Sequence, residues 1–385
     1  MIDKNVEQVN LDVFFSLLRA GLWTDVESTD IPNHGFAEAV DWNKVYQLAE
    51  EQSVVGVVLS GIERLRNAKI NIDQNQEDLL QWIGEVHMLE QQNKAMNQFV
   101  AELIEKMCKA DIYAIIVKGQ GVAQCYEKPL WRTCGDVDLL LSDSNYEKAK
   151  TYLTPFASTV ETEYDYKKHQ GMTIDQWIVE LHGNMRCGLS VRMDNVIDDI
   201  QNEVFYGGNV RSWMNGHTQV FLPGVDIDVL FVFTHFIKHF YTGGLGLRQI
   251  CDWCRLLWTY RKSLNGKLLE SRIRELGLMS EWKAFGAFAV DYLGMPKETV
   301  PLYSSDKKWS RKADKICSFI IEVGNFGHNR EHSYAKYPYV IRKACSMGRR
   351  CGDLLHHTRI FPMDSLRFFP KIMYDGLRSA VRGEG

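Results

Sequence analysis

The chain has 385 residues, of which 45% are hydrophobic and 24% are charged, and its formal net charge is −4. These values are ordinary for a globular protein of two or three domains with a substantial core. The near-neutral charge excludes a general electrostatic attraction to nucleic acid or to membranes.

The sequence predicts a cytoplasmic protein with no membrane span. The amino-terminal segment lacks the apolar stretch of a signal peptide, and the best apolar run, residues 229–233, is far too short to cross a bilayer. The nine cysteines are an odd number scattered through apolar surroundings. Such a distribution is typical of reduced thiols rather than of a disulfide framework.

Helical periodicity dominates the first hundred residues. Apolar residues recur at helical spacing over residues 11–22, 41–48, 54–65 and 79–107. Asp41 and Trp42 open the second of these stretches. We therefore predict an amino-terminal helical region over residues 1–108.

The pattern then changes to strands and changes back to helices. Strand-like runs occupy residues 112–117, 137–141, 159–164 and 172–181, with a helix over residues 145–152. We predict an α+β or α/β core over residues 109–225. Helical spacing returns over residues 229–240, 247–260, 268–276 and 281–293, so residues 226–385 are predicted to form a carboxy-terminal helical region.

The most informative motif is Gly135-Asp136-Val137-Asp138, which opens the second predicted strand. Alternate residues of a strand share a face, so Asp136 and Asp138 point the same way while Val137 points into the core. Two carboxylates on one face repel each other unless a cation holds them. Gly135 allows a ligand to approach the backbone closely. An isolated pair of this kind also occurs by chance at solvated strand ends.

Three companions favour a binding site over a solvated strand end. The apolar run Leu139–Leu141 indicates that the strand is buried. Lys118 and Gly119 end the preceding strand just before a helix, where backbone N–H groups can meet phosphates. Glu180 alternates with apolar neighbours on a later strand. Three carboxylates on adjacent strands can hold two divalent cations.

These residues carry a resemblance to a known family. The order is strand, Lys-Gly, helix, Trp131-Arg132-x-x-Gly135-Asp136-Val137-Asp138-Leu-Leu-Leu, and later Glu180-Leu-His. It resembles the uncharacterised nucleotidyltransferase family of bacteria, a branch of the polymerase-beta-like nucleotidyltransferase superfamily. The resemblance is strongest over residues 112–182 and extends more weakly over most of the chain. It implies a small mixed-sheet nucleotidyltransferase core flanked by amino-terminal and carboxy-terminal helical regions.

The resemblance also implies roles for individual residues. Asp136 and Asp138 match the metal-binding pair of the superfamily and Glu180 matches its third carboxylate, so Mg²⁺ or Mn²⁺ is the expected cofactor. The nucleotide-binding positions are Lys118, Gly119, Gln120, Arg132 and Gly135. Gln120 stands where the superfamily has a Ser, so contact with the terminal phosphates falls to backbone amides, to Lys118 or to Arg132, whose planar fork matches phosphate oxygens.

Several further residues are candidates for lining the substrate site, each with a structural alternative: His169, His182, His239 and Arg248. His182 shares the strand face of Glu180, although a hydrogen-bonded core histidine is the alternative. His169 is predicted in a solvated loop or hairpin. His239 forms an i, i+4 pair with His235, a spacing that favours packing or cleft lining over a zinc site. Arg248 is predicted to pair with Asp252 along one helix.

The carboxy-terminal stretch after residue 342 carries an excess of Arg and Lys with interleaved aromatic residues. Such a surface can face RNA or an anionic membrane, but a solvated helical face is the favoured interpretation. Nucleic acid is therefore a less favoured partner than a nucleoside triphosphate.

The function predicted from these features is metal-dependent transfer of a nucleoside monophosphate from a nucleoside triphosphate to an acceptor hydroxyl, with release of pyrophosphate. The acceptor is open between a small molecule, a sugar, a protein side chain and an RNA end. One alternative is a catalytically silent nucleotide-binding or antitoxin-like interaction protein. A less favoured alternative is a glycosyltransferase of the D-x-D type, which expects alternating strands and helices before the motif.

Overall fold

The computed structural model describes residues 4–23, 40–70, 72, 74–163, 168–325 and 338–382. Before the first strand the chain forms helices where amphipathic spacing predicts them. Asp41 accepts hydrogen bonds from the backbone N–H groups of Asn43 and Lys44 and so caps the second helix. The helices of this part are α1 (Lys4–Leu22), α2 (Trp42–Glu51), α3 (Val55–Asn67) and α4 (Gln76–Lys109).

A five-stranded mixed sheet follows, in the order β1-β2-β5-β4-β3. Only β2 and β5 pair in parallel; the other neighbours are antiparallel. The strands are β1 (Ala114–Val117), β2 (Asp136–Leu141), β3 (Ala157–Val160), β4 (His169–Ile174) and β5 (Trp177–His182). The helices of this part are α5 (Gly119–Ala123), α6 (Asp143–Leu153) and α7 (Val191–Phe205).

The central region differs from the sequence predictions at several points, among them the helix α7, which was not predicted. The single strand predicted over residues 172–181 is a hairpin, because the chain turns at Asp175, whose φ is +54°. His169 accordingly lies on β4 of this hairpin, which is one of the two predicted settings, and not in a loop. A second hairpin, which was not predicted, joins β6 (Val210–Asn215) to β7 (Thr218–Pro223). The predicted strand 159–164 is realised as β3, and residue 164 lies outside the described residues.

The carboxy-terminal part is helical, as the apolar spacing predicts. In the described residues it consists of α8 (Val225–Thr242), α9 (Leu247–Thr259), α10 (Gly266–Leu276), α11 (Met279–Asp291), α12 (Lys307–Val323), α13 (Tyr339–Thr358) and α14 (Pro362–Val381). None of the described helices is both long and apolar enough to span a membrane. All nine cysteines are free thiols.

Alternation along β2 divides the sheet between two cores. Val137, Leu139 and Leu141 pack with residues of α4 and α6 on one side. Leu140 belongs to the other core, which the helices α1–α3 and α8–α12 build together. Asp138 shares the face of Leu140, so the carboxylates of β2 lie on the side of the sheet that faces α8 and α9 and not on the side of α6. The fold class is confirmed as α+β with flanking helices, and the division at residues 108 and 225 stays a prediction.

Candidate active site

The two aspartates of β2 lie on one face of a buried strand. Val137 between them is fully buried, and Asp138 is only 3% exposed. Burial raises the pKa of Asp136, and the neighbouring charges of Asp138 and Glu180 raise it further. The carboxylates therefore destabilise one another in the absence of a cation.

Glu180 reaches the same place because β5 runs parallel to β2. In the register of the two strands Asp138 lies opposite Glu180. Carboxylate oxygens of Asp136, Asp138 and Glu180 all lie within 4.8 Å of one another. Such a set of oxygen donors fits Mg²⁺ or Mn²⁺, and the charge of the cation would offset the repulsion among the three acids.

Lys118 supplies a positive charge of the chain's own at this point. It follows β1, has a φ of +59°, and donates from Nζ to Asp138 Oδ1 at 2.7 Å. Burial lowers the pKa of Lys118, but the charge of Asp138 and its hydrogen bond outweigh that effect, so the pKa is raised. An uncommon backbone conformation held at a buried ion pair is a feature of functional sites.

Two histidines complete the carboxylate cluster. His182 Nε2 lies 2.7 Å from Asp138 Oδ1 and 3.4 Å from Glu180 Oε2. His169 Nε2 lies 3.1 Å from the same Glu180 oxygen. Burial alone would raise the pKa of Glu180, but the hydrogen bonds from His169 and His182 hold it far below its usual range. The Glu180 carboxyl is therefore ionised at physiological pH.

Both glycines of the motif lie at the cluster. A side chain at Gly135 would meet no atom within 4 Å, so the space beside the backbone before Asp136 is open. Gly119 has a φ of +37° and lies against the Asp136 carbonyl oxygen. Gln120, in contrast, is 2% exposed and its side-chain amide contacts the Met96 sulfur on α4.

The sequence matches the family described as uncharacterised nucleotidyltransferase over residues 38–294, which is more than half of the chain. The chain belongs to this family. No curated protein and no solved structure matches the sequence. Membership makes the chain a nucleotidyltransferase by family and implies a nucleotide as substrate.

Arg132 of this nucleotidyltransferase has a partner within the protein. It is 5% exposed and forms a two-pronged ion pair with Asp252 of α9, with Nε–Oδ1 and Nη2–Oδ2 distances of 3.1 and 2.5 Å. Tyr126 also donates to Asp252, at 2.8 Å. The prediction that Arg248 pairs with Asp252 is thus wrong, because Asp252 already binds Arg132.

Unlike Arg132, Arg248 has unused hydrogen-bonding capacity. Its Nη1 donates to the Thr133 carbonyl oxygen at 2.8 Å, while its buried Nε has no hydrogen-bond partner among the described residues. Burial and the neighbouring Arg132 lower the pKa of Arg248, and the charges of Asp252 and, less strongly, Asp136 oppose this effect. Arg248 lies close enough to Asp136 to lower the pKa of that carboxyl in turn.

The histidine pair of α8 lies near Lys118 and adds two neutral groups beside the carboxylate cluster. His235 and His239 share a hydrogen bond between their Nε2 atoms at 3.0 Å, so one ring donates and the other accepts. Burial, followed by the charges of Lys238 and Lys118, lowers the pKa of His239 to about 3. Burial and Lys118 likewise lower the pKa of His235. Both imidazoles are neutral at physiological pH.

Sequence reasoning missed several of the contacts within the cluster. The ion pair of Lys118 with Asp138 was not predicted, and Lys118 stays one of the predicted phosphate contacts. The proximity of His235 was not predicted, although its i, i+4 spacing with His239 was visible. The signal that could have placed His169 was the turn at Asp175, which puts His169 opposite His182.

Proposed function

We propose that this protein transfers a nucleoside monophosphate from a nucleoside triphosphate to an acceptor hydroxyl. The acceptor oxygen would lose its proton to solvent and bond to the α-phosphorus, and the bond from that phosphorus to the β-phosphate would break, with pyrophosphate leaving. The observation that carries the proposal is the convergence of Asp136, Asp138 and Glu180 within 4.8 Å on two parallel strands, in a member of a nucleotidyltransferase family.

Asp136, Asp138 and Glu180 would hold the divalent cations, Mg²⁺ or Mn²⁺. Bound there, the cations would neutralise the phosphates and activate the acceptor hydroxyl. The protein's own part is to present three oxygen donors from a rigid, buried sheet. Lys118 keeps Asp138 paired before the cation arrives, which limits repulsion among the acids.

The triphosphate would lie between the carboxylates and α9. Arg248 is suited to bind a phosphate oxygen, because its buried Nε lacks a partner among the described residues and its charge is close to Asp136. The open space beside Gly135 gives the phosphates room to approach the backbone. Arg132 would keep α9 in place through Asp252 rather than touch the nucleotide.

The experiment is to incubate the protein with Mg²⁺ or Mn²⁺ and each α-labelled triphosphate, alone and with cell extract. We expect metal-dependent transfer of label that Asp136→Asn and Asp138→Asn each abolish. Asp175→Asn is the matched control, because Asp175 is exposed at the β4–β5 turn and its left-handed backbone suits Asn. Equal transfer by the Asp138→Asn variant and the wild type would overturn the proposal.

A second candidate is a silent nucleotide-binding or antitoxin-like interaction protein. The observation that favours it is Gln120, which replaces the expected Ser and contacts Met96. Metal-dependent nucleotide binding without transfer to any acceptor would support this candidate. The glycosyltransferase alternative is not retained, because four helices, and no alternating strands, precede β1 in the described residues. The acceptor and the cytoplasmic location stay predictions.

A further inference from the structure

Two histidines converge on one oxygen of the carboxylate cluster. His169 and His182 lie directly opposite each other in the β4–β5 ladder, with ring centroids 4.8 Å apart. Their Nε2 atoms lie 3.1 and 3.4 Å from the same atom, Glu180 Oε2. The sheet register imposes this arrangement, because cross-strand neighbours and alternate residues share a face.

The three side chains have the spacing of ligands around one ion. Ligand atoms of His169, Glu180 and His182 lie within 4.8 Å of one another, and Glu180 also belongs to the group with Asp136 and Asp138. The cluster thus offers two adjoining positions that share Glu180. One position has oxygen donors only, and the other has two imidazole nitrogens.

We propose that the position formed by His169, Glu180 and His182 binds a divalent transition-metal ion in preference to Mg²⁺. Imidazole nitrogen is a good ligand for transition metals, whereas Mg²⁺ favours oxygen and retains its water. The inference deepens the proposed function and rests on it in one respect, that the neighbouring carboxylates bind the first cation.

The accessibility of the two rings fits a ligand role. The side chain of His169 is 34% exposed and that of His182 is 12% exposed, so an ion can reach the position from solvent. Ordinary hydrogen bonding would leave each ring as a donor to a carboxylate, whereas metal binding would require both Nε2 atoms to be unprotonated. The hydrogen-bonded and metal-bound arrangements therefore differ in whether a bound metal ion shows magnetic coupling to a nitrogen nucleus.

The experiment loads the full-length protein with Mn²⁺ and records its electron spin-echo envelope modulation. We expect modulation from directly bound ¹⁴N, a reduced signal in His169→Gln, and loss of the signal in the His169→Gln/His182→Gln double variant. His217→Gln, in the exposed turn between β6 and β7, should leave the signal unchanged. Circular dichroism of each variant shows whether it is folded. His169 is half-buried and His182 is more buried, so the single variant at His169 is the less disruptive of the two.

Each outcome decides the inference separately from the proposed function. Bound Mn²⁺ without nitrogen modulation in the wild type would overturn the inference and leave the three carboxylates as the metal site. Absence of any Mn²⁺ binding would overturn both. A nitrogen signal that persists unchanged in the folded double variant would overturn the inference as well.

Discussion

The two arginines next to the carboxylates, Arg132 and Arg248, differ in what already satisfies their charge. Arg132 binds both oxygens of Asp252, whereas Arg248 makes one bond to the Thr133 carbonyl oxygen and keeps a buried Nε unpaired among the described residues. Removing one partner of a buried ion pair leaves an uncompensated charge behind. The same substitution should therefore affect stability at Arg132 and nucleotide binding at Arg248.

We expect Arg132→Gln to lower the free energy of unfolding by about 3–5 kcal/mol, because Asp252 would lose its partner. Arg248→Gln should leave that free energy nearly unchanged and weaken metal-dependent triphosphate binding by about tenfold, the effect of one charged hydrogen bond to phosphate. Urea unfolding and calorimetric titration with a nucleoside triphosphate measure the two effects. If Arg248→Gln binds the triphosphate as tightly as the wild type, the role of Arg248 is wrong.

Sequence alone predicted the common location of the three carboxylates but not the partners of the arginines. Asp136, Asp138 and Glu180 alternate with buried residues, so the period of a strand fixes their common face. The partner of an arginine depends on tertiary structure, since Asp252 is far from Arg132 along the chain. Gly119 and Gly135 lie at the cluster, but the contact of Gln120 with Met96 could not be inferred from the motif.

Among the elements, α1 and α3 pack with their backbones in direct contact. A methyl group on Gly61 would collide with the Leu17 carbonyl oxygen, and one on Gly21 would collide with the Val57 carbonyl oxygen. Glycine is required here for close approach and not for its backbone conformation. This contact anchors the amino-terminal helices to the core that also carries α8 and α9.

Gly61→Ala should lower the free energy of unfolding by about 1–3 kcal/mol through overpacking, because backbone atoms cannot yield as a side chain can. Gly84→Ala is the control: Gly84 is exposed on α4 and a methyl there meets nothing within 4 Å. The control should gain about 0.5–1 kcal/mol from helix propensity. Thermal or urea unfolding measures both, and a Gly61→Ala variant as stable as the control would contradict the contact.

Element prediction was limited by turns. The β4–β5 hairpin was read as one strand because Asp175 turns the chain without a glycine. The β6–β7 hairpin was missed although Asn215 ends β6 and Gly216 opens the two-residue loop to β7, a recognisable hairpin signal. Helices were predicted more reliably, since an apolar stripe over several turns is a longer and more regular signal.

In the whole molecule, a buried acid links two of the carboxy-terminal helices, α8 and α11, by a hydrogen bond. Glu281 of α11 is fully buried and accepts a hydrogen bond from Tyr241 of α8 at 2.8 Å. Burial, followed by the charge of Asp364 on α14, raises the pKa of Glu281 to about 8, while Tyr241 and the charge of Lys312 oppose the shift. The folded protein thus keeps this carboxyl protonated at neutral pH.

The pH dependence of stability follows from this burial. Between the pKa of the unfolded state and about 8 the folded state binds the extra proton, so Glu281 lowers stability as pH rises through this window. Glu281→Gln should reduce the fall in the free energy of unfolding between pH 5.5 and about 8.5 by roughly a few kcal/mol. Urea unfolding across this range is the measurement, with the exposed Glu298→Gln as control. An identical slope in wild type and Glu281→Gln would contradict the assignment.

The position of the label in the product distinguishes nucleotidyl transfer from other uses of the triphosphate. The protein is incubated with Mn²⁺ and one triphosphate labelled either at the α- or at the γ-phosphate. The account predicts that α-label enters the acceptor, that γ-label leaves as pyrophosphate, and that Asp138→Asn stops both. Entry of γ-label into the acceptor, or absence of metal-dependent nucleotide binding, would contradict the assignment of Asp136, Asp138 and Glu180 to nucleotidyl transfer.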